Sequence, residues 1–378
     1  MRTVRTRLPN PAWLLALLLV IAPASAQNGI VPATAGGAER WAPAVRAARA
    51  VADSLVRAAG LPGLSVAVGV GTEIVWSEGF GWADIENHVP VSPLTRMRIG
   101  SISKSVTAAG LALLYEQGRL DLDAEVQQYV PAFPKKRWPV TVRQVAGHIA
   151  GIRHYLGNEN ENAVRYPTVL AGLDIFDDDS LLFQPGTRYS YSSYGWNLLS
   201  AVIEGAAGQE FLGYMRRSVF EPLGLRSMVA EHTDSIIEWR ATFYERARDG
   251  RLLRAQYVDN SYKWAGGGFI SNTEDMVRYG MAWLQPSFLK QQTIDLWFTP
   301  QTLAGGRATT YGIGWFSRVD EDGRRIVWHT GGSVGGRALL VLYPEQNVVV
   351  AMLSNAGHAP MSAENGARIA SPFIAAAR

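Results

Sequence analysis

Strand-forming segments lie at the two ends of this chain and are scarce in its middle, so its fold must bring residues far apart in sequence into one sheet. Near the start, Leu64-Ser-Val-Ala-Val-Gly-Val alternates, Gly71-Thr72 supplies a turn and Ile74-Val-Trp-Ser-Glu-Gly-Phe follows, which reads as a hairpin with one buried face. At the far end, Gly312 to Val319, Arg325 to His329, Arg337 to Tyr343 and Val348 to Leu353 read as short strands separated by Asp-Gly and Pro-Glu turn signals. Helical spacing runs from Trp41 to Ala59, stopped by Gly60 and Pro62, and Ser362 to Ala377 reads as a closing helix. From Ser101 to about Gln301 the pattern is mostly helical, broken by polar loops such as Gly157-Asn-Glu-Asn-Glu-Asn and Asp177-Asp-Asp-Ser. The expectation is an α/β (α+β) fold whose antiparallel sheet is flanked by N- and C-terminal helices, with a mostly helical region inserted at 101–304 between sheet-forming parts at 40–100 and 305–378.

Composition narrows the possible functions. Arg2, Arg5 and Arg7, the apolar run from Trp13 to Ala22, and Ala24-Ser25-Ala26 have the three-part layout of a secretory signal peptide, with cleavage expected after Ala26 and a flexible leader at 27–39. The apolar run is shorter than the roughly 20 residues a membrane-spanning helix needs, so no stable membrane span is expected after cleavage. Those three arginines account for the whole net charge of +3, which leaves a near-neutral mature chain and no compositional case for nucleic-acid binding. With no cysteine, an exported chain has no disulfide, no lipidated N-terminal cysteine and no thiolate metal site. Its stability must come from its core, and 47% hydrophobic residues over this length suffice for one large domain or two closely packed ones.

The most informative segment is Arg98-Ile-Gly-Ser-Ile-Ser-Lys-Ser-Val-Thr-Ala-Ala-Gly-Leu-Ala-Leu-Leu-Tyr-Glu, where an apolar helix starts at or near Ser101. Ser101 and Lys104, three apart, share one helix face, so an amine can reach the serine hydroxyl. A serine there also meets converging backbone N–H groups suited to an oxyanion. Helix capping alone would explain Ser101 or Ser103. It does not explain Lys104, a cation in the first turn, where the helix dipole favours Asp or Glu. Lysine is otherwise confined to 135, 136, 263 and 290, and in an apolar helix its neutral form is favoured by desolvation, whereas arginine stays charged. The spacing recurs at Ser287-Phe-Leu-Lys290, but after Pro286 and with no tyrosine motif downstream.

Two further segments follow Ser101-Ile-Ser-Lys104 in order: Pro185-Gly-Thr-Arg-Tyr-Ser-Tyr-Ser-Ser-Tyr-Gly-Trp-Asn and His329-Thr-Gly-Gly. Together they resemble the serine β-lactamase and penicillin-binding protein superfamily, and within it the branch of class C β-lactamases, esterases and the mitochondrial β-lactamase-like protease. Gly147-His-Ile-Ala-Gly-Ile-Arg-His-Tyr, Ala265-Gly-Gly-Gly and Tyr311-Gly-Ile-Gly-Trp also look like landmarks of that family, and the likeness runs from Leu64 to about Asn355. It implies a β-lactamase/transpeptidase-like fold and an exported serine hydrolase acting through a Ser101 acyl-enzyme on a peptide, amide or ester, with Lys104 and Tyr191 handling protons. A true β-lactamase or D,D-carboxypeptidase is the alternative, and a non-catalytic protein that binds cell-wall peptide or assembles into larger structures belongs to another class.

By the same resemblance, the backbone N–H groups of Ser101 and Gly332 form the oxyanion hole, His329 joins the catalytic set, and Ser193, Thr330 and Gly331 contact substrate. Ser193 replaces the family's usual Asn and His329 its common Lys, which weakens amide contacts and carboxylate capture and favours peptide or ester hydrolysis over antibiotic resistance. Tyr155 and Arg153 sit beside a motif-bearing loop, where cleft lining and ordinary packing serve equally well; Tyr155 is kept as a substrate-binding candidate. His148 and His154 match no common zinc pattern, His148 reads as structural, and the clusters at Glu159, Glu161 and Asp177 to Asp179 read as solvated. The Gly266 to Gly268 run lacks the features of a phosphate loop and reads as a close backbone approach beside the cleft. No metal or other cofactor is expected, and the partner is a small-molecule or peptide substrate.

Overall fold

The structure, a computed structural model, describes residues 38–377; the expected signal peptide and most of the expected leader lie outside the described residues. Seven strands form one antiparallel sheet: β1 (Gly63–Val70), β2 (Glu73–Asp84), β3 (Val89–Pro90), β9 (Phe316–Val319), β10 (Arg325–Ser333), β11 (Gly336–Tyr343) and β12 (Val348–Ser354). Their order is β3-β2-β1-β12-β11-β10-β9, so the two ends of the chain meet where β1 pairs with β12, from Leu64 opposite Ser354 to Val70 opposite Val348.

The hairpin of β1 and β2 is buried on both faces, not one. On β1, Leu64, Val66 and Val68 point toward the first helix, α1 (Ala38–Ala59), and the last, α9 (Ala363–Ala377), in a cluster that also holds Ala48, Ala52, Phe373 and Ile374. Burying each of these large side chains contributes about 1.5–3 kcal/mol. The intervening Ser65, Ala67 and Gly69 are buried too. They are small because helix α7 (Thr273–Ala282) lies against them: Ser65 Oγ is 2.9 Å from Thr273 Oγ1, and a Cβ on Gly69 would come within 2.6 Å of Val277. The alternation that reads as buried and exposed is one of large and small, set by a helix on each side of the sheet.

The segment between the two halves of the sheet serves two places. Its helix α7 covers the sheet, while α4 (Ser193–Ala207), α5 (Phe211–Met215), α6 (Trp264–Gly267) and α8 (Gln291–Phe298) gather around α2 (Ile102–Glu116), and α3 (Val142–Ala146) packs on α4. It also carries strands that its helical pattern hides: β4 (Met97–Arg98), β8 (Phe269–Ser271) and β5 (Val229–Ala230) form a small sheet, and β6 (Tyr244–Arg246) pairs with β7 (Leu252–Arg254). The expected strand from Gly312 is present only from Phe316, because Gly314 adopts φ +79 and brings its backbone against Ala108 and the carbonyl of Lys104. Helix α2 is buried around nearly its whole circumference, which accounts for the unbroken run of apolar and small residues from Ala108 to Leu114.

Candidate active site

Ser101 occupies the position just before α2, and its side chain makes no capping hydrogen bond there. Capping therefore does not account for it. Gly100, at φ +51, presents the serine, and a Cβ at Gly100 would sit 2.7 Å from the Gly332 nitrogen. Next along β10, Gly331 packs so tightly on Ile99 that any Cβ would overlap that residue's carbonyl oxygen. Two bare backbones thus bring the residues just before Ser101 against Gly331 and Gly332 of β10, at the unsatisfied start of a helix.

Lys104 is fully buried, with Nζ 3.0 Å from Ser101 Oγ, 2.9 Å from Ser193 Oγ and 2.6 Å from the Gly266 carbonyl oxygen. Among the described residues no carboxylate pairs with it. Burial above all, and then the charge of Lys263, holds its pKa well below the ordinary lysine value. Gly266 can only accept, and the Ser193 oxygen has lone pairs to accept as well. An uncharged Lys104 that donates to those two turns its own lone pair toward the Ser101 hydroxyl.

Tyr191 lies in the same place: its ring centroid is 4.9 Å from Lys104 Nζ, and the Ser101 hydroxyl is the polar neighbour acting on its phenol. Burial raises the phenol's pKa and the Ser101 hydroxyl opposes the rise, so the group stays protonated at neutral pH. Tyr189 is turned aside, edge-on to His148. His148, buried and at φ +60, packs on Tyr191 with centroids 4.2 Å apart and rings tilted by 35°, and accepts the Ser192 N–H at Nδ1. His154 Nδ1 accepts the next N–H, from Ser193. These two histidines clamp the backbone at the start of α4 on either side of the tyrosine.

The remaining expected residues divide by depth. Ser101, Tyr155, Ser193 and Gly332 line a cleft of about 780 Å³. His329, Thr330 and Gly331 do not line it. His329 is buried, with Nε2 3.0 Å from the Tyr311 hydroxyl and Nδ1 2.6 Å from the Thr330 carbonyl oxygen. Since that carbonyl can only accept, Nδ1 carries the proton and Nε2 accepts from Tyr311. Burial and Lys104 push the His329 pKa down to about 3, so the ring is neutral at pH 7 and offers no charge to a substrate. Arg153 turns away from the cleft to bind Glu159 and Asp179. Glu159, expected to be merely solvated, also accepts from the Leu156 N–H and the Tyr194 hydroxyl.

Sequence reasoning missed Arg254, Lys263 and Arg337, three further cations on the cleft wall. For Lys263 a signal existed, since it is one of few lysines and lies just before the Ala265-Gly266-Gly267-Gly268 run.

A family model described as Beta-lactamase matches residues 48–371. The human mitochondrial serine beta-lactamase-like protein LACTB is 32% identical, the match covering 81% of this chain and 73% of that protein. Penicillin-binding protein 4* of Bacillus subtilis is 26% identical over 75% of this chain and 66% of its own length. Among solved structures, the octameric penicillin-binding protein homologue from Pyrococcus abyssi superposes with a TM-score of 0.77 at 25% identity, covering 87% of this chain and 77% of that one.

Proposed function

We infer, from the premise that this chain belongs to the beta-lactamase family and is a serine hydrolase, that Ser101 is its nucleophile and that it acts through an acyl-enzyme on a peptide, amide or ester. The observation that carries this reading is the buried amine of Lys104, without a counter-ion among the described residues and 3.0 Å from the Ser101 hydroxyl. In the proposed cycle neutral Lys104 takes the Ser101 proton as Oγ attacks the carbonyl carbon. The oxyanion is held by the N–H groups of Ser101 and Gly332. Tyr191, protonated at neutral pH, gives its proton to the leaving group and is restored from Lys104. Water then repeats the sequence on the ester and releases the acid.

The neutral ring of His329 leaves the β10 wall without a charge at the position of the family's common lysine, which supports a peptidase or esterase over a β-lactamase or D,D-carboxypeptidase. The N-terminal layout of arginines, apolar run and Ala24-Ser25-Ala26 supports export, with cleavage after Ala26. Mass spectrometry after exposure to a fluorophosphonate tests the nucleophile: wild type gains one adduct on Ser101, and Ser101→Ala gains none. Undiminished labelling of the variant would refute the assignment. Comparing a short-chain ester, a D-amino-acid peptide and a chromogenic cephalosporin tests the substrate class, and preferred turnover of the cephalosporin would reverse the ranking.

A further inference from the structure

Behind the α6 wall of the cleft lie two cations and one anion. Arg98 Nε is 2.6 Å from Glu231 Oε2, which also accepts from Asn260 Nδ2 at 2.8 Å, while the other end of the guanidinium donates to the Val334 carbonyl oxygen. Glu231 is therefore taken up by Arg98. Lys263, the second cation, is only 4% exposed, yet among the described residues no carboxylate lies within ion-pairing distance of it. Of its three hydrogens the structure gives a partner to one, the Asn160 carbonyl oxygen at 3.0 Å. The rings of Tyr262 and Tyr155 lie near it, with centroids 5.1 and 5.7 Å from Nζ. A buried cation is tolerated when it is paired and is costly when it is not. This one opens onto the cleft that holds Ser101.

Its position puts it within reach of the reaction. Lys263 Cδ and the carbonyl carbon of Gly100 lie 3.9 and 3.8 Å from the point a Cβ on Gly267 would occupy, so only the missing side chain of Gly267 separates the lysine stem from the residue before Ser101. We propose that Lys263 is a specificity-determining residue that receives a carboxylate of the substrate, which makes the preferred substrate an anionic acyl compound docked with its carboxylate against the α6 wall. This rests on the Ser101 reading above. The substrate carboxylate supplies the counter-charge that Glu231 cannot, and it accepts the two hydrogens of Lys263 that have no partner.

The test is a matched pair of activated esters, the 4-nitrophenyl monoester of adipate and 4-nitrophenyl hexanoate, which share a six-carbon acyl chain and differ in its terminal carboxylate. The expected result is a preference of about tenfold in kcat/KM for the adipate ester, the size of one charge-assisted hydrogen-bonded contact. The preference should vanish in Lys263→Met, persist in Lys263→Arg, and persist in Arg337→Gln, which removes another cation that lines the cleft. No preference in wild type, a preference untouched by Lys263→Met, or an equal loss in Arg337→Gln would each overturn the proposal. Calorimetric titration of adipate itself into Ser101→Ala and into the Ser101→Ala, Lys263→Met double variant needs no chemistry. Loss of binding in the double variant supports the subsite even where Ser101→Ala retains turnover, and equal binding refutes it.

Discussion

Lys104 and Lys263 are both buried, and their charges work in opposite senses. Lys104 must lose its proton to act as a base, so kcat/KM rises with pH through its lowered pKa, giving an acid limb. Lys263 must keep its proton to hold a carboxylate; burial and then Arg98, opposed by Glu231, bring its pKa to about 7. A pH series on the matched esters should therefore give a bell for the anionic ester, falling on the alkaline side as Lys263 loses its charge, and only the acid limb for the neutral one. Coincident profiles would contradict the separate assignments. Tyr191→Phe should lower the acylation rate by roughly 10²–10⁴-fold, measured as the burst with an activated amide, because the protonated phenol is the group assigned to deliver a proton to the leaving group. A burst at the wild-type rate would remove Tyr191 from the proton path.

At the scale of elements, the site depends on β10 lying flat on the residues before α2. Gly331→Ala drives a methyl group into the Ile99 carbonyl, backbone against backbone, and should cost about 1–3 kcal/mol in urea unfolding. Gly332→Ala meets only the movable end of Arg337 and should stay within about 0.5 kcal/mol of wild type. Equal costs would mean that strand docking is not what these glycines serve. The sequence makes the start of α2 legible because Ser101, Lys104 and the apolar run after them interact along one helix. It also exposes the two halves of the sheet, whose strands carry period-2 patterns. It hides β4, β5 and β8, which are two or three residues long, since a period cannot be read from so few positions. It also misleads at β1, where Ser65, Ala67 and Gly69 look like an outer face and are small because α7 covers them.

Among the described residues the molecule buries two histidines in neutral form. His148 sits well below the ordinary histidine pKa and His329 is brought down to about 3, burial being the first cause for both. The unfolded chain takes up protons near pH 6.5 that the folded chain refuses, so stability is full above that pH and falls as the solution is acidified toward pH 3. Each such histidine should cost about 1.4 kcal/mol per pH unit below about 6, read from urea midpoints at successive pH values. A flat midpoint from pH 7 to 5 would show that these rings accept protons in place. Deleting residues 363–378 should abolish cooperative unfolding, because Ile369, Phe373 and Ile374 of α9 seal the sheet face that α1 shares.

The features legible in the chain before folding are local and ordered: a serine and a lysine one helical turn apart, a tyrosine motif after them, a His-Thr-Gly-Gly strand after that, and sheet-forming ends around the whole. Each of these is carried by spacing along the chain, and spacing survives without coordinates. It took the folded chain to establish that Tyr191 lies under Lys104, that Gly332 lies beside Gly100, that His329 is neutral and walled off, and that Lys263 stands at the cleft without a counter-ion among the described residues. Those properties come from burial and from charges brought close by folding, and desolvation depends on everything packed around a group, wherever in the sequence it comes from.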